Sequence, residues 1–256
     1  MVTKMSVFWD ENKQPIFEDY IFILPSISVG NVGQLAVDLL LNNLEVKHVA
    51  FIEEPSILPI VGPDPFDPES TKLATSCELF QFEEKKLLIM QQRAPIIPEE
   101  ISRYKDFITN FIKSHKFKKT VLLSSSFSQF FTAENLQGVP IHYLLTSTVR
   151  EEEKQFENIS WRKFQLPQNV DPTETSLIPG GGIAAKLLKD CEEQQVPLVV
   201  LILVCSEGNN YPEALQMVKS INQWLQLKQT KDSEEVWKIP ISWALPYGSD
   251  APHTMF

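Results

Sequence analysis

At 256 residues, with 43% hydrophobic and 10% aromatic side chains, the chain can bury a sizeable core and is too apolar to be intrinsically disordered. Its 33 acidic and 23 basic residues leave a net charge of −10, which excludes nucleic acid as the main partner because neutralising phosphate needs a basic face. The most apolar run, residues 197–205, is far below the ~20 residues that span a bilayer, so no membrane role is expected.

The first ten residues lack the apolar stretch of a signal peptide, and the expected location is the cytoplasm and also the nucleus. Cys77, Cys191 and Cys205 have no paired spacing, so the expectation is reduced, buried thiols rather than zinc or disulfides.

Residues 20–24 (YIFIL) are a short apolar run that suits a buried strand, and Pro25 ends it. A turn holding Gly30 and Gly33 leads into residues 34–44, where apolar positions 35, 36, 39, 40 and 44 have helical spacing. Residues 46–52 form a second predicted strand. Five prolines between 55 and 69 predict a loop, because proline cannot donate to a ladder. Residues 78–82 and 87–91 read as a strand pair joined by the charged turn 83–86.

Pro98 and two glutamates open a helix with an apolar stripe at 101, 104, 107, 108, 111 and 112. Residues 120–124 and 141–145 are predicted strands, whereas the polar stretch 150–169 suggests no regular element. Gly180–Gly182 precede a helix with apolar positions 183, 184, 187, 188 and 191. Residues 196–204 are the strongest strand, and residues 211–227 the last long helix. Residues 237–248 are apolar but broken by prolines, which predicts extended chain packed along the body.

Strands alternating with amphipathic helices predict an α/β three-layer sandwich, a mostly parallel or mixed sheet with helices on both faces. Neither a repeat nor a low-complexity linker interrupts it, so one domain is expected over residues 1–256, with a flexible C-terminal tail from about residue 249.

Four places attract chemistry. Gly30-Asn31-Val32-Gly33 follows a strand and opens a helix; such a turn either cradles a phosphate or supplies unusual backbone angles, and it lacks the P-loop lysine. Gly180, Gly181 and Gly182 leave a bare backbone that suits an anion or tight packing. Ser124-Ser-Ser-Phe-Ser128 is a hydroxyl cluster at a strand end, with neither a G-x-S-x-G context nor a signature histidine, so backbone capping competes with nucleophilic roles. Glu207, Gly208 and Asn209 follow the strongest strand, either as a base or ribose ligand or as a self-bonded loop. No convincing catalytic set and no metal spacing emerges, and no cofactor is expected.

Residues 25–39 (PSISVGNVGQLAVDL), 178–183 (IPGGGI), 206–210 (SEGNN) and 237–243 (WKIPISW) with 247–249 (YGS) together resemble the proteasome assembly chaperone 2 family. The resemblance implies a non-enzymatic chaperone with a fold like that of nucleoside phosphorylases. It implies a heterodimer with proteasome assembly chaperone 1 that binds α subunits of the 20S proteasome and promotes α-ring formation while blocking aberrant contacts. Gly30, Asn31, Gly33, Gly180, Gly181, Gly182, Glu207, Gly208 and Asn209 become structural or interface residues on this reading. Family tails end in a hydrophobic-tyrosine-any motif that enters α-subunit pockets; the matching positions are Thr254, Met255 and Phe256, with methionine in place of the tyrosine. The competing expectation is a nucleoside- or phosphoester-processing enzyme that uses the glycine turns and residues 124–128 as its pocket.

Overall fold

The three apolar runs that read as buried strands lie side by side in the middle of one sheet. The computed structural model describes residues 6–11, 15–132, 138, 141–165, 178–228 and 237–243. Its central strands are β2 (Ile21–Pro25), β8 (Lys119–Phe127) and β11 (Leu198–Cys205), joined in parallel. Successive side chains of a strand face opposite ways, and here both faces are apolar. Ile23, Val121, Leu123, Val199 and Leu201 enter one core. Phe22, Leu24, Leu122, Val200 and Ile202 enter the other.

Two helices cover each face. The first core takes the apolar stripes of α1 (Val32–Asn43) and, at the C-terminal end, a helix at Tyr211–Leu225. The second takes α2 (Ile101–His115) and a helix at Ala184–Glu193. Between them in sequence lies the short α3 (Glu153–Asn158), so the latter two are α4 (Ala184–Glu193) and α5 (Tyr211–Leu225). The result is the expected three-layer sandwich.

The sheet is mixed, with nine strands among the described residues in the order β1-β3-β6-β7-β2-β8-β11-β9-β10. The outer strands are β1 (Ser6–Trp9), β3 (Lys47–Glu53), β6 (Cys77–Phe82), β7 (Leu87–Gln92), β9 (His142–Leu145) and β10 (Arg162–Lys163). The predicted hairpin at 78–91 is β6–β7, and it turns the β1 side antiparallel.

Three expectations are corrected. The proline-rich loop contains β4 (Val61–Pro63), which pairs with β5 (Leu73–Thr75); Pro63 sits at its last position, where a missing N–H is tolerated. The polar stretch 150–169 holds α3 and β10, because Phe156 and Trp161 pack on Trp224 with ring centroids 4.9 and 6.0 Å away, two anchors being too few to show a periodicity. The strand predicted over 120–124 runs on to Phe127, so Ser124, Ser125 and Ser126 are buried strand residues.

The start of the predicted C-terminal packing is present as a strap over the first face. Asn43 grips Lys238 twice: its Nδ2 donates to the carbonyl at 2.8 Å and its Oδ1 accepts the N–H at 2.8 Å. Trp237 and Trp243 are buried, and Trp243 stacks on Tyr211 with centroids 4.3 Å apart. The three cysteines are free and buried. No helix of the described residues is long and apolar enough to cross a membrane.

At the far edge His142 is buried beside Phe131 and Phe164, and burial, with the Arg162 cation second, pushes its imidazole down to about 4 from 6.5. The unfolded chain therefore binds the extra proton first, so this contribution is complete above pH 6.5 and is lost as the pH falls towards 4. Urea titrations from pH 7 to 4 are expected to show the His142→Gln variant losing less stability than the parent, by up to about 3 kcal/mol.

Candidate functional site

Three of the quoted segments lie at the C-terminal ends of β2, β8 and β11, where open α/β sheets hold their ligands. Residues 26–33 leave β2 and start α1; residues 178–183 approach α4; residues 206–210 join β11 to α5. The crevice between them is filled by the chain itself.

The turn 178–182 supplies carbonyls, and buried serines supply the donors. Ser26 Oγ donates to Gly181 O at 2.8 Å, Ser124 Oγ to the same oxygen at 3.1 Å, and Ser126 Oγ to Pro179 O at 2.9 Å. Ser125 Oγ donates to Val29 O at 2.5 Å, which leaves Ser28 Oγ to donate to Ser125 at 2.8 Å. Backbone bonds complete the tie, from Val29 N to Gly180 O at 2.9 Å and from Phe127 N to Pro179 O at 3.1 Å. Each hydroxyl at positions 124–126 is thus consumed by a carbonyl and faces no histidine.

Bare backbone is required at two points. Gly182 has φ +62°, and a Cβ there would overlap the Ile27 carbonyl oxygen. Gly30 has φ +67°, and a Cβ would stand 2.7 Å from Cγ of the buried Asn210. Asn31 is also left-handed, at φ 54°, and forms the last residue before α1. Gly33 packs against the Leu123 carbonyl, Gly180 against the Phe127 ring, and Gly181 against Ile178.

The loop after β11 separates from this cluster. Glu207, Gly208 and Asn209 are exposed; Asn209 Oδ1 accepts the Tyr211 N–H at 3.2 Å, and Gly208 O accepts from Asn210 Nδ2 at 3.1 Å. Glu207 makes no hydrogen bond or ion pair among the described residues, so the base role has no geometry to support it. Burial, then the Glu213 charge, pushes the Cys205 thiol up to about 11, which keeps it protonated and unreactive. Thr254, Met255 and Phe256 lie outside the described residues. No group of metal-ligating side chains forms among the described residues.

Asn210, Phe127 and Ser26 were not singled out in the sequence, although each holds the crevice closed. Their signal was present: a serine two residues before another at a strand exit, and an asparagine that opens a helix.

The fold and site together define an α/β sandwich whose ligand crevice is packed with its own backbone. The profile of the PAC2 family matches residues 22–236, and the chain belongs to that family. Proteasome assembly chaperone 2 of Danio rerio is 36% identical over 94% of this chain and 96% of its own length. The protein of that name from Homo sapiens is 31% identical over 94% of this chain and 97% of its own. Among solved structures, Pyrococcus furiosus PbaA, an archaeal homolog of proteasome-assembly chaperone, has a TM-score of 0.65 at 17% identity, covering 89% of this chain and 88% of its own. P. furiosus PbaB, an archaeal proteasome activator, gives 0.63 at 15% identity, covering 90% and 92%. At those identities the likeness is one of fold. The family is one of non-enzymatic chaperones, and the enzyme expectation is set aside.

Gly182→Ala is expected to cost more than about 2 kcal/mol in urea unfolding, since it combines strain at positive φ with a backbone collision. Glu207→Gln should stay within about 0.5 kcal/mol of the parent. In thermal unfolding, millimolar inorganic phosphate or adenosine should leave the melting temperature unchanged.

Proposed function

We propose that the chain is a chaperone of 20S proteasome assembly that works as a heterodimer with proteasome assembly chaperone 1 in the cytoplasm and also the nucleus. It binds α subunits, promotes α-ring formation and blocks aberrant contacts. The observation that carries this reading is the near full-length similarity to proteins named proteasome assembly chaperone 2 in animals as distant as Danio rerio and Nematostella vectensis. The filled crevice at the ends of β2, β8 and β11 supports it independently, because the place where such sheets hold a small ligand is taken by the chain's own backbone.

The body of the heterodimer contributes most of the docking. Burying Met255 and Phe256 contributes about 3–6 kcal/mol, and association with ordering removes about 4 kcal/mol or more. A tail acting alone would hold at about millimolar affinity or weaker; attached to a docked body it adds through effective concentration.

Native affinity purification of the full chain from eukaryotic cells, read by mass spectrometry, tests the reading. Proteasome assembly chaperone 1 and α subunits should be recovered with few mature β subunits; recovery of neither would sink the proposal. Deleting residues 254–256 should lower α-subunit recovery by less than about tenfold, and complete loss would place the docking in the tail.

A further inference from the structure

At the β1 edge the sheet extends past its helices. Phe8 and Phe51 are opposed across β1 and β3. Their neighbours Val7, Ala50 and Ile52 pack into the second core, so the two rings stand on the other face of the sheet, where they are 54% and 37% exposed. With Ile57, Pro59, Ile60 and Thr75 they line a groove of about 270 Å³. Val61 and Leu73, 66% and 62% exposed, continue the apolar surface along the β4–β5 pair.

Among the described residues the backbone edge beside this groove is open. Among the described residues β1 pairs only with β3. Asp10 N–H donates to Val49 O on β3 at 3.0 Å, so the alternation of an antiparallel ladder turns the N–H and C=O of Val7 and Trp9 outward.

The surroundings carry an excess of negative charge. Residues 6–11 and 47–76 hold seven carboxylates and two lysines. Lys47 is engaged by Glu11 at 2.5 Å, and Glu54 is held by Arg103 at 3.1 Å. Glu53 lines the groove, exposed and without an ion pair among the described residues.

We propose that this groove docks an extended segment of a different protein in which lysine or arginine flanks apolar residues, added as a strand along β1. The aromatic rings supply burial, Val7 and Trp9 supply ladder bonds, and Glu53 beside the rings selects the cation. A second copy of this chain is the wrong occupant, because it would set the same acidic excess, with Glu53 beside the rings, against itself. The inference rests on the groove and not on the proteasome reading.

The test uses the full chain with Phe51 replaced by p-benzoylphenylalanine, irradiated in eukaryotic cells, with the cross-linked segment sequenced by mass spectrometry. A segment of another protein with lysine or arginine within a few residues of apolar ones is expected, its yield falling about tenfold when Glu53→Lys is added. The same probe at Lys113, exposed on α2 across the sheet, should not capture it. Cross-links to a second copy, to an acidic or uncharged segment, equal capture from position 113, indifference to Glu53→Lys, or no capture by a chain that melts like the parent would each overturn the proposal. Since no proteasome subunit enters this readout, its failure and that of the purification experiment are distinguishable.

Discussion

The backbone of Gly180–Gly182, laid across the ends of β2 and β8, is the constraint on which the other features of the fold depend. A buried carbonyl left without a donor costs about 1–3 kcal/mol, so the turn can occupy the crevice only if donors await it. Ser26, Ser124 and Ser126 are those donors, each in hydrogen-bond contact with Pro179 or Gly181. The turn runs into α4 on the second face and bonds Val29 at the entry to α1 on the first. One loop therefore ties both helical layers to the sheet at the end where related architectures keep a ligand.

That arrangement moves function outward. Among the described residues the crevice is closed by carbonyl-bound hydroxyls, and Glu207 beyond it makes no hydrogen bond or ion pair that would orient a proton transfer. What the molecule offers is surface, and its faces are unequal. The strap at residues 237–243 covers the first face through the Asn43 clip and the two buried tryptophans, whereas the sheet beyond α1 keeps Phe8 and Phe51 in solvent.

Legibility in the sequence followed apolar pattern. β2, β8 and β11 were visible because burial on both faces demands continuous apolar runs, and α1, α2, α4 and α5 because one buried stripe imposes a helical period. β1 was not visible: its four residues place Val7 and Trp9 inward and an equally apolar Phe8 outward, so no alternation appears. The four motif segments were recognisable one by one, but not that Ser26 and Ser124 meet the same Gly181 oxygen across 155 and 57 positions of chain. Such long-range pairing leaves no local signal, and Ser124 and Ser126 looked like a strand-end hydroxyl cluster because the polar side chains interrupted the apolar run that marks β8.

The open β1 edge raises the opposite problem from the closed crevice. An unpaired strand flanked by exposed phenylalanines is a template for association between identical chains, and proteins ordinarily blunt such edges with charge. Here the charge is predominantly negative: Asp10 and Glu11 end the strand and Glu53 stands beside the rings, within segments holding seven carboxylates and two lysines. Like charges brought together repel copies of this chain, while the same field attracts a basic segment and leaves the hydrogen-bonding edge free to receive it. One acidic excess thus works against self-association and in favour of a basic partner, which an apolar edge alone cannot do.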